Sequence, residues 1–94
     1  MEVQTVALNA VERYNKNTHP KRVDILLEIL EAQSREATLG DEYIISLVIG
    51  VTGCSFEHKN NCTRKDVEFV DFVNVDALKT ISMKEYVFTF HKMK

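Results

Sequence analysis

The side chains able to do chemistry are few and scattered. His19, His58 and His91 are the three histidines, and none stands at a paired spacing suited to a metal ion. Cys54 and Cys62 are the two cysteines. A pair closing a short segment between two predicted strands favours a disulfide over two free thiols. By the chain-entropy relation such a small ring adds about 2–3 kcal/mol, and a bridge implies an oxidising compartment. A Cys–His dyad would need one of those thiols free. Glu28 and Glu31 lack the i, i+2 relation that would place both carboxylates on one strand face. With three glycines in the chain there is no Gly-rich phosphate loop. No catalytic residue, cofactor or metal is therefore expected, and an enzyme is not the reading. Asn61-Cys62-Thr63 is a formal glycosylation sequon whose middle residue is the expected disulfide partner.

The elements that must position these residues follow from periodicity. Val3, Val6, Ala7, Ala10, Val11 and Tyr14 recur at three- and four-residue steps. They predict a helix over 3–16 with one apolar stripe, ended near His19-Pro20. Residues 22–35 are ambiguous. Leu26, Leu27 and Leu30 suit a helical stripe, whereas Val23, Ile25, Leu27 and Ile29 alternate with Asp24 and Glu28. The alternation favours a strand, with a helix as the alternative. After Gly40, a strand over 41–53 places Tyr43, Ile45, Leu47, Ile49 and Val51 on one face. Further strands are predicted near 66–75 and 84–93, with a turn over 76–82. Phe69 and Phe72 fall out of step, which suggests a bulge or twist between them. A helix followed by four strands on short connections gives an α+β fold, with the helix packed across an antiparallel sheet.

The 94 residues allow one domain, spanning 1–94. Apolar residues make up 45% of them and charged residues 28%, so the chain is a folded globule rather than a disordered one. Twelve basic and fourteen acidic residues leave a net charge of −2, which argues against nucleic acid or an anionic membrane as partner. No apolar run reaches membrane-spanning length. The start at Val3 to Val11 is amphipathic and unlike a signal peptide. The native chain is expected to begin before Met1.

Two segments carry a resemblance. Ala10-Val11-Glu12-Arg13-Tyr14-Asn15-Lys16 is similar to the end of the helix in cystatins. Gly40-x-x-Tyr43-Ile44-Ile45-x-Leu47-x-Ile49-Gly50-x-Thr52-x-Cys54 resembles the strand that follows their first inhibitory loop. The match covers residues 3 to 54, and beyond Cys62 it is a pattern of strands. It implies a cystatin-like fold of the secreted type, with 22–35 as a long strand. It also implies that a Cys54–Cys62 bridge corresponds to the first disulfide of secreted cystatins. Their second disulfide has no counterpart here.

The resemblance further implies a wedge that fills the cleft of a papain-like cysteine protease with an N-terminal segment and two hairpin loops. Such a cleft is desolvated on binding and favours neutral, compact contacts. The first loop here reads Glu36-Ala37-Thr38-Leu39-Gly40, where the family has Gln-x-Val-x-Gly. The second loop, Ala77-Leu78-Lys79-Thr80-Ile81, has no Trp, and the chain has none at all. The helix begins almost at Met1, so the N-terminal segment of the wedge is missing from this sequence. The expectation is a secreted, extracellular cystatin-like domain that has lost tight inhibition and serves as a protein-binding or structural module. The alternative is a weak or altered cysteine protease inhibitor, with Leu78 and Ile81 in place of the aromatic anchor. Asn17, after the helix, lies near the position with which some cystatins engage the asparagine-specific protease legumain. An Asn there is more often a cap or turn residue. Leu26, Leu30, Ile44, Val48, Val70 and Val87 are expected on the sheet face away from the helix. There they are either the ordinary apolar share of a protein surface or a contact with another domain, a second copy or a ligand. Further cystatin-like domains in the same chain would fit that surface.

Overall fold

The computed structural model describes residues 2–37, 40–80 and 85–92. Helix α1 (Glu2–Thr18) is followed by strands β1 (Arg22–Ala37), β2 (Gly40–Ser55), β3 (Val67–Thr80) and β4 (Val87–Lys92). Two short 3-10 helices, Phe56–Asn61 and Arg64–Asp66, connect β2 to β3. The sheet is antiparallel throughout, in the order β1-β2-β3-β4.

The stripe read from the sequence is the face that α1 buries. Val6, Ala7 and Ala10 are fully covered, and Val11 and Tyr14 nearly so. They meet Tyr43, Ile45, Leu47 and Ile49 of β2, with Val73, Val75 and Ala77 of β3. Val3, Leu26, Ile29, Phe88 and Phe90 close the edges of this core. Clean periodicity in α1 and β2 thus specified both sides of the main packing layer.

Strand β1 departs from the strict alternation expected of it. Its pairing with β2 slips between Leu26 and Glu28 and again between Ile29 and Glu31. Each slip inserts one unpaired residue, so core-facing positions fall three apart instead of two. Leu26, Ile29 and Ala32 consequently stand opposite Ile49, Leu47 and Ile45. That is why the segment carried a helix-like spacing although it is a strand. Two facing expectations are corrected with it. Leu26 packs on the helix side rather than away from it. Leu27 lies on the open face, where a Cβ added to Gly50 would come within 3.0 Å of its Cδ1.

In β3, Phe69 stands opposite Val51 and Phe72 opposite Val48, with regular pairing between them. They are three positions apart and so face opposite sides without a bulge. The irregularity lies earlier, where Thr52 pairs with Val67 and Glu68 is skipped. Ile44, Val70, Phe72 and Val87 do occupy the open face and are exposed, whereas Val48, between Glu28 and Phe72, is nearly buried.

A polar set ties the end of α1 to the sheet. The Asn15 amide donates to the carbonyls of His19 and Arg22, both at 2.8 Å, and so fastens the turn around Pro20. The Tyr14 hydroxyl donates to Asp71 Oδ2 at 2.6 Å. Burial first, and the adjacent Asp71 carboxylate second, push the Tyr14 phenol far above its ordinary value. His19 Nδ1 lies 3.3 Å from Asp24 Oδ2. Asp24 Oδ1 is buried without a hydrogen-bond partner among the described residues. Burial raises the Asp24 carboxyl above its usual range, against the opposing effect of His19.

Candidate functional site

The site is built at the end of the sheet where β1 turns into β2. Ala37 pairs with Gly40 across the hairpin. Gly40 pairs on its other side with Thr80. Its φ of 156° is a value that glycine adopts without a Cβ penalty. The strand ends of β1, β2 and β3 therefore lie side by side, and the connection from β3 to β4 leaves from the same end. The last turn of α1 is tied to the start of β1, and Thr5, near the beginning of the helix, lines a pocket with Lys79 and Tyr86. The beginning of the helix accordingly points toward the hairpin end.

The expected loop residues are placed as follows. Glu36 is exposed near the hairpin tip, while Thr38 and Leu39 lie outside the described residues. The turn expected over 76–82 is a strand as far as Thr80, and 81–84 lie outside the described residues. Ala77, Leu78, Lys79 and Thr80 continue β3 and pair with β2, and Leu78 also pairs with Val87. Ala77 is fully buried in the core, and Leu78 is a half-buried strand residue rather than a loop tip. Ile81 lies outside the described residues. The strand runs on because Ala77 keeps the alternation of Val73 and Val75, which the charge of Lys79 two residues later obscures in sequence.

Electrostatics at this end are acidic in a way that the single substitution at Glu36 did not reveal. Glu36 stands directly opposite Asp41 across the hairpin, and both are exposed. Like charges at facing strand positions repel. One step back, the Arg35 guanidinium contacts Glu42 Oε1. That contact, with a hydrogen bond to Asp76, holds the Glu42 carboxyl below its usual range. Asp76 is pushed the other way, first by burial and then by Glu42. Asp41, Glu42 and Asp76 were not singled out from the sequence. The signal that could have found them is register, since antiparallel pairing of Ala37 with Gly40 sets residue 36 against 41.

The remaining candidates lie away from this edge. Cys54 and Cys62 form a disulfide, with Cα atoms 6.1 Å apart, at the far end of β2. Asp66 is close to both sulfurs, but two bridged cysteines offer no thiolate to a metal ion. Asn17 is exposed in the last turn of α1, not in the connection after it, and that last turn is tied to the start of β1, at the end of the strand away from the hairpin. No helix among the described residues is long and apolar enough to cross a membrane.

Comparison with known proteins places this architecture. The family model for the Cystatin domain matches residues 1–87. The chain belongs to the cystatin family, whose members are of the protease-inhibitor type. No curated protein and no solved structure gives a significant match.

Proposed function

We propose that this is a secreted cystatin domain that no longer inhibits papain-like cysteine proteases tightly and acts as a protein-binding or structural module. The observation that carries the reading is the acidic hairpin end, with Glu36 opposite Asp41 and the Glu42–Asp76 pair behind them. A wedge entering a protease cleft must shed water from its tip. A carboxylate there needs a well-formed partner to offset the loss. Arg35 is engaged by Glu42, and Glu36 faces another acid. Thr38 brings a hydroxyl that also needs a hydrogen bond, and no Trp is present to anchor the second loop. Together these defects are worth on the order of 5 kcal/mol, or a few thousand-fold in affinity.

The second reading, a weak or altered inhibitor, draws on the alignment of Ala37, Gly40 and Thr80, which leaves the scaffold of the edge intact. Titration against papain and a cathepsin separates the two. Secretion is supported by the disulfide, which belongs to oxidising compartments. A legumain-type role for Asn17 has less support, because its backbone is helical rather than extended.

A further inference from the structure

We propose that Asn61 is an acceptor for an N-linked glycan, attached while the loop between Cys54 and Cys62 is still open. The proposal rests on the secretory reading given above. Asn61 ends the first 3-10 helix and is exposed. No hydrogen bond engages its side-chain amide among the described residues, so the nucleophilic nitrogen and the space around it are accessible. The residue lies beside the disulfide, at the opposite end of β2 from Gly40. A glycan there leaves the hairpin edge uncovered.

The rest of the sequon dictates the order of events. Thr63 caps the second 3-10 helix. Its hydroxyl accepts from the Lys65 amide and donates to Asp66 Oδ2, both at 3.3 Å. Its own amide donates to the same carboxylate at 2.8 Å. The Cys62 amide is held by the Lys59 carbonyl at 3.2 Å, and its sulfur by Cys54. A transferase must bind the Asn-x-Thr segment through that hydroxyl, and in the folded loop the hydroxyl and the flanking backbone are committed. Transfer therefore precedes both closure of the ring through Cys62 and capping of the second 3-10 helix by Thr63. In the transfer, the Asn61 amide nitrogen attacks the anomeric carbon of a lipid-pyrophosphate oligosaccharide. A carbon–nitrogen bond forms as the bond from that carbon to the pyrophosphate oxygen breaks. The lipid pyrophosphate leaves, and the amide proton passes to a base on the transferase.

The test is expression of the chain behind a cleavable signal in a eukaryotic cell, with occupancy read by mass spectrometry on the total chain recovered. A glycan on Asn61 is expected, removable by a peptide amidase that leaves aspartate at that position. Asn61→Gln abolishes it, and Thr63→Ser retains it in part. Cys54→Ala keeps the loop open and raises occupancy by about twofold or more wherever the parent is partly occupied. Unmodified Asn61 in both the parent and Cys54→Ala overturns the site. Unchanged partial occupancy in Cys54→Ala overturns the order of events. Papain titration of the Asn61→Gln protein stays as in the parent, so a failed glycan leaves the reading of the hairpin edge to be judged separately.

Discussion

Removing the Tyr14 hydroxyl, by Tyr14→Phe, takes away the bond that locks α1 to the centre of β3. Tyr14 is 4% exposed and Asp71 8% exposed, and their 2.6 Å bond joins residues 57 positions apart. A hydrogen bond to a charged acceptor contributes about 1.5–3 kcal/mol net. The Asp71 Oδ2 left behind has a poor substitute in Lys92, which reaches the other carboxylate oxygen at 3.6 Å from a largely exposed position. About 2 kcal/mol is therefore expected, or roughly 10 °C in melting temperature for a domain of this size. Urea unfolding with the disulfide intact should show the midpoint falling without a change in slope. The pH dependence gives a second check. The folded state holds the phenol neutral, because its value is raised by burial and by Asp71. That contribution is complete below the unfolded value near 10 and is lost as pH rises through the folded one. Tyr14→Phe should remove this alkaline component. A loss under about 0.5 kcal/mol, or an unchanged alkaline limb, would refute the reasoning that this pair fixes the helix.

Three further outcomes follow from buried groups. Asp24 has a raised value in the folded state, so its contribution to stability is full below the unfolded value and is lost as pH rises through the folded one; Asp24→Asn should shrink the difference in urea midpoint between pH 4 and pH 7. Gly50→Ala puts a Cβ 2.7 Å from Val67 Cγ2 and 3.0 Å from Leu27 Cδ1, and should cost about 1–3 kcal/mol by calorimetry; a neutral effect would show that the two side chains yield freely. Replacing both Cys54 and Cys62 by Ala should lower stability by about 2–3 kcal/mol while the sheet signature in circular dichroism persists.

How much of this could be read from the sequence depended on whether a pattern was local. The α1 stripe and the faces of β2 were legible because one uninterrupted period runs through each of them. Strand β1 was ambiguous because its slips near Leu27 and Leu30 give a strand the spacing of a helix, and they also sent Leu26 inward and Leu27 outward. The end of β3 was read as a loop from Asp76 and Lys79, whose charge disguised an alternation that Ala77 continues. At the candidate edge, Glu36 was visible as a departure from a motif. Asp41, Glu42 and Asp76 acquired meaning once the strands were paired. The Tyr14–Asp71 contact is tertiary, and His19–Asp24 closes a turn five residues long for which no spacing rule exists.

The central claim is that the acidic hairpin end, together with Thr38 and the missing Trp, abolishes tight inhibition. It is tested most directly by titrating papain with the unaltered domain beside the Glu36→Gln, Thr38→Val variant. Leu78 is left alone, since it is a strand residue paired with Glu42 and Val87. The unaltered domain should show no nanomolar inhibition, and the double variant should bind at least about tenfold more tightly, the equivalent of 1.4 kcal/mol. Nanomolar inhibition by the unaltered domain would contradict the account.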